Sequence, residues 1–79
     1  MKYAIAQLGA GAPVTPSDTE EFAPSYILVM GAGNVAIRPA EGNVTSLVIP
    51  AVPAGSLLPI LAIRVLSTGT TATNIIRCF

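Results

Sequence analysis

Seven prolines and seven glycines punctuate a chain of 79 residues, and their spacing decides what it can fold into. Proline removes a backbone donor and clashes with the preceding helical turn, so it breaks a helix interior at a cost of about 3 kcal/mol. Pro13, Pro16 and Pro24 exclude a regular helix from residues 9–25. Residues 42–63 form a run of 22 without a charge, long enough by length alone to cross a bilayer. Pro50, Pro53 and Pro59 interrupt that run, and Asn43, Thr45, Ser46 and Ser56 are polar. A lipid-exposed helix with that spacing would leave backbone groups unsatisfied, so no membrane span is expected.

Between the breakers the chain reads as strand, turn, strand. Residues 3–8, 26–30, 34–38, 44–49, 60–66 and 74–79 are apolar or β-branched and short. In residues 34–38, Val35 and Ile37 fall on one face and Ala36 and Arg38 on the other. Glu41-Gly42-Asn43 and Thr68-Gly69-Thr70-Thr71 read as turns, Gly31-Ala32-Gly33 as a hairpin turn, and residues 50–59 as a loop. Ser17-Asp18-Thr19-Glu20 has the form of a cap for one short helical turn. Six short strands with turn signals between them predict an all-β fold, a small antiparallel β-sandwich or barrel, jelly-roll-like, with an extended N-terminal arm. Residues 1–25 are expected as the arm and Pro/Gly-rich segment, and residues 26–79 as the β-domain, in one domain overall.

The chemistry-bearing residues are few. Four Lys and Arg balance four Asp and Glu, and histidine is absent. A net charge of zero leaves no basic field for a phosphate backbone, so nucleic acid is not an expected partner. One cysteine and no histidine supply too few ligands for zinc and no internal disulfide. Cys78, in an apolar strand, reads as a structural thiol rather than a nucleophile. Asp18, Glu20 and Glu21 read as solvated loop acids. Residues 27–36 match a strand followed by GxGxxA, but a dinucleotide site needs a helix after its glycines. Here an alternating strand and Pro39 follow. No catalytic, cofactor or metal site is expected, and no enzyme.

What the composition does imply is company. Charged residues are 10% of the chain and hydrophobic ones 52%. Ordering a chain costs roughly 1.5 kcal/mol per residue, and short chains bury too little surface to offset this easily. Without disulfides or metal, neighbouring subunits are the remaining source of burial. Arg64 and Arg77 sit in otherwise apolar strands. Each reads either as exposed or partner-covered, or as paired across a subunit interface with Glu20, Glu21 or Glu41.

Three pieces carry a resemblance: Val14-Thr15-Pro16-Ser17-Asp18, Val52-Pro53-Ala54-Gly55-Ser56-Leu57-Leu58-Pro59, and the stretch from Arg64 to Ile75 with Ser67-Thr68-Gly69-Thr70-Thr71-Ala72 at its centre. In this order they resemble the small spike-base virion proteins of tailed phages and gene transfer agents. They are also similar to the small head-decorating, or cement, proteins of marine siphophages. The resemblance covers residues 14–79. It implies a compact β fold, a place on the outside of a virion head after synthesis in the host cytoplasm, the major capsid protein as partner, and no enzymatic activity. It also implies homo-oligomers; a homotrimer is the favoured expectation, a homopentameric spike-base adaptor at vertices the alternative, and a small ligand- or host-protein-binding β-domain the remote one. The residues expected at oligomer or capsid interfaces are Tyr3, Ile5, Leu8, Phe22, Arg64, Arg77 and Phe79.

Overall fold

A computed structural model describes residues 9–79. Strands 44–49, 60–66 and 74–79 of the sequence reading survive with shifted ends, whereas the strand expected at 3–8 lies outside the described residues. The elements are β1 (Gly11–Val14), β2 (Ser25–Gly31), β3 (Gly33–Pro39), β4 (Leu47–Val52), β5 (Ser56–Val65) and β6 (Thr73–Cys78). They form one six-stranded sheet in the order β1-β6-β2-β5-β3-β4, every pair antiparallel. There is no helix among the described residues. The all-β, antiparallel expectation is met.

The sheet wraps around its own core. Ile27, Val29, Val35, Ile37, Val52, Leu58, Ala62, Val65 and Ile75 are buried together in one cluster. They come from five strands, and β2 and β3 are not sheet neighbours, so only a curled sheet brings them into contact. β5 makes the curl. Its first part pairs with β2 through Leu57↔Leu28 and Leu58↔Ile27. Its last residues pair with β3 through Arg64↔Arg38 and Val65↔Ile37.

Prolines sit where the ladder does not need a donor. Pro13 and Pro50 lie on the two edge strands, β1 and β4. The register slips between Ser25↔Ala62 and Ile27↔Leu58, and Pro59 falls in the resulting bulge of β5. The expected loop over 50–59 therefore shrinks to residues 53–55, turned by Gly55 at φ 82°. Ala51 is also left-handed, at φ 52°, and its N–H donates to the Asn34 side-chain oxygen at 3.0 Å.

The Gly-Ala-Gly turn differs from expectation. β2 and β3 are joined by Ala32 alone, yet β5 lies between them in the sheet. The chain therefore turns a corner here instead of forming a hairpin. The glycines serve close approach: a Cβ on Gly33 would stand 2.6 Å from the Ala72 nitrogen, and one on Gly31 would stand 2.9 Å from the Thr73 carbonyl oxygen.

Candidate interaction surface

The Pro/Gly-rich segment lies against the sheet. Ala10 and Phe79 exchange two backbone hydrogen bonds, each 2.9 Å, and β1 continues the pairing with β6. Residues 17–22 then run as a strap beside the end of β5. The Ser17 N–H donates to the Val65 carbonyl and the Phe22 N–H to the Ile63 carbonyl, both at 2.8 Å. Ser17 Oγ accepts from the N–H groups of Thr19 and Glu20, at 3.3 and 3.2 Å. The capping residue thus behaves as its sequence suggests, but no helical turn follows.

Side chains pin the strap. Arg64 donates from Nη1 to the Asp18 carbonyl at 2.9 Å and from Nη2 to Glu21 Oε2 at 2.5 Å. Arg38 Nη1 stands 3.7 Å from the same Glu21 oxygen. Asp18 accepts from the Thr68 hydroxyl at 2.6 Å and the Thr68 N–H at 2.9 Å. The Thr68 hydroxyl and then its N–H hold the Asp18 carboxyl below its ordinary value. The Arg64–Glu21 pair is intrachain. Its glutamate is half-exposed, so its worth lies in placing the strap more than in stability.

The second cluster is aromatic and cationic. The Arg77 guanidinium lies 4.4 Å from the centre of the Phe79 ring and 5.4 Å from that of Phe22. Cations held over ring faces within about 6 Å are attracted by the ring quadrupole. Arg77 Nη1 also reaches the Ser25 hydroxyl at 3.4 Å. Phe22 packs on the core, whereas Phe79 is 47% exposed. A cleft of about 360 Å³ opens beside this cluster, lined by Pro13, Val14, Thr15, Ser17, Glu20, Glu21, Phe22 and Arg77. A smaller one, about 250 Å³, lies between Tyr26, Pro39, Glu41 and Ile60.

Of the residues expected at interfaces, Phe22, Arg77 and Phe79 come together. Arg64 holds the strap that carries Phe22. Tyr3, Ile5 and Leu8 lie outside the described residues. The sequence reading did not single out Met30, Val44, Val48 and Leu57, which are exposed apolar side chains. Val44 and Val48 share a parity opposite to Leu47 and Ile49, which pack against the core. That alternation was the available signal.

The Ser67–Ala72 stretch also acquires a role. The Ala36 N–H donates to Thr70 Oγ1 and the Asn34 N–H to Thr71 Oγ1, both at 2.9 Å. The Thr71 and Ala72 N–H groups donate back to the Asn34 carbonyl at 2.9 and 3.1 Å. The threonines stitch a loop to β3 on the side away from β4, beyond the residues that pair with β5. No group of acidic, cysteine or histidine side chains suited to a metal occurs among the described residues. No described helix is long and apolar enough to cross a membrane.

No family model and no curated protein matches the sequence. A solved structure does: a chain from the capsid of the native GTA (gene transfer agent) particle, computed with C5 symmetry, matches with a TM-score of 0.75 and 31% identity. The match covers 91% of this chain and 83% of that one.

Proposed function

Because the chain belongs to the family of that gene-transfer-agent capsid chain, we propose that it is a structural virion protein on the outside of a tailed-phage-like head. There it acts as a decoration, or cement, protein that bridges and stabilises capsomers, without enzymatic activity. The observation that carries this reading is 31% identity over 91% of the chain to a component of a capsid. The charge-poor composition supports it, as does the exposed Phe79 beside Arg77.

The partners are the major capsid protein and further copies of the chain, as a trimer. Phe22, Arg77 and Phe79 form one contact face, and Tyr3, Ile5 and Leu8 add apolar contacts from the N-terminal segment. Arg64 contributes by fixing the strap. On a repeating shell, several weak contacts per oligomer combine by effective concentration. Contacts that exist only on the closed shell stabilise it by mass action. A second reading, a pentameric adaptor at vertices that carries a spike, rests on the same match.

Heads prepared without the protein provide the test. Purified full-length protein added back is expected to bind between capsomers, across the faces, and to raise the temperature at which the heads open. Density confined to vertices would favour the adaptor. Heads that neither bind it nor gain heat resistance would contradict both readings.

A further inference from the structure

We propose that neighbouring copies of this chain join edge to edge, the outer edge of β1 in one copy pairing antiparallel with the outer edge of β4 in the next, with Gly11 opposite Val48. The proposal rests on the assembly reading only for the presence of neighbouring copies. The pairing itself follows from the ladder.

Successive residues of a strand aim their backbone groups to opposite sides. Ala10 exchanges both of its hydrogen bonds with Phe79, so Ala12 and Val14 also face β6, and Gly11 and Pro13 face outward. On β3, Ala36 receives Leu66 N–H and donates to Thr70, both on the side away from β4. Val35 and Ile37 therefore face β4, where they meet Ile49 and Leu47. This leaves Ser46, Val48 and Pro50 facing outward. Among the described residues nothing pairs with either outer edge.

The two edges match. Each offers a residue with both N–H and C=O, Gly11 or Val48, followed two positions later by a proline with C=O alone. Pairing Gly11 with Val48 lets both exchange two hydrogen bonds. It also places Pro13 opposite Ser46, whose N–H can donate to the proline carbonyl, so the two prolines fall at opposite ends and do not meet. Direction agrees as well. Six alternating strands leave β1 and β4 running oppositely, so rotation about an axis along the strands brings them together antiparallel. Such a contact is head-to-tail, and head-to-tail contacts close into a ring when the rotation between copies divides the circle. Neither edge strand carries a charge. Natural edges usually carry charges that deter such pairing. Val44 and Val48, both 48% exposed, gather on the β4 side of the molecule.

Cross-linking tests the register in the full-length chain, with Cys78→Ser as background. Hydrogen-bonded partners in an antiparallel ladder have Cα atoms about 5.5 Å apart, inside the roughly 4.4–6.8 Å that a disulfide spans. Gly11→Cys combined with Val48→Cys is expected to give, on oxidation, a reducible covalent ladder ending at the subunit number of the native oligomer. Each single variant should give almost none. If the double variant sediments as the native oligomer but cross-links no better than the singles, the edge pairing is wrong and the assembly reading stands. Strong dimers from Val48→Cys alone would mean that like edges meet, which also overturns the proposal. A single subunit at every concentration would overturn self-assembly and edge pairing together. Separately, Val48→Lys should weaken self-association about tenfold or more with an unchanged circular dichroism spectrum, and Val48→Thr should not.

Discussion

Replacing Ala62 with lysine is expected to abolish the folded protein. Ala62 is fully buried and stands where β5 changes partners, opposite Ser25 on one side and Pro39 on the other. A lysine there must bury its ammonium group or push the two halves of the sheet apart. The acids that might pair with it, Asp18, Glu20, Glu21 and Glu41, are all exposed. An uncompensated buried charge costs about 3–5 kcal/mol. A domain of this size has about 4–12 kcal/mol in total. Val65→Lys should fail in the same way, since Val65 is 1% exposed and belongs to the same core. Leu57→Lys, at a position 37% exposed on the same strand, is the control that should stay soluble. The readouts are soluble yield and the far-ultraviolet circular dichroism of a sheet. Normal values for both core variants would show that β5 is not central to the fold.

Gly33→Ala is expected to have the next largest effect. Its Cβ would stand 2.6 Å from the Ala72 nitrogen and 2.8 Å from the Ala72 Cα. Both obstacles are backbone, held by the hydrogen bonds to the Asn34 carbonyl, so neither can swing aside. Gly33 also has φ 155°, which an alanine adopts only with strain. Overpacking and backbone strain together set the loss at about 3 kcal/mol or more. Gly42→Ala separates the two causes. Gly42 has φ 97° but nothing within 4 Å of its would-be Cβ. It should lose only about 1 kcal/mol, from the left-handed backbone. Urea unfolding compares them directly: with m near 1 kcal/mol/M for a small domain, the midpoints should differ by about 2 M. Equal midpoints would mean that the corner between β2 and β3 is looser than its geometry implies.

The strands were legible because their signal is local. Val35 and Ile37 are buried as their parity required, although Ala36 between them, expected on the other face, is fully buried as well. Two features hid from that reasoning. Prolines at 50 and 59 read as loop, because sequence does not reveal that Pro50 is on an edge and Pro59 in a bulge. The Gly-Ala-Gly corner read as a hairpin, because φ > 0 serves both, and only the insertion of β5 between β2 and β3 distinguishes them. β1 was also missed, since Gly11-Ala12-Pro13-Val14 has little strand character of its own and is held by β6.

The proposed contact face was partly legible. Aromatic and arginine residues in a charge-poor chain stood out, and Phe22, Arg77 and Phe79 do meet. That Phe22 would meet Arg77 depends on the strap crossing β5, a contact over more than half the chain. From sequence, an Arg64–Glu21 pair is expected only as a link between subunits. The fold closes it within one chain. The threonines at 68, 70 and 71 read as a turn, and only β3's unpaired N–H groups explain why hydroxyls are needed there.

Central to the proposed function is the proposal that the chain completes its fold and its role among copies of itself. Sedimentation equilibrium of the isolated full-length protein, across a hundredfold range of concentration, tests that claim most directly. A closed oligomer at a small multiple of 8.0 kDa is expected, with dilution lowering both the mass and the melting temperature together. A mass of 8.0 kDa throughout, with a high melting temperature that ignores concentration, would contradict it.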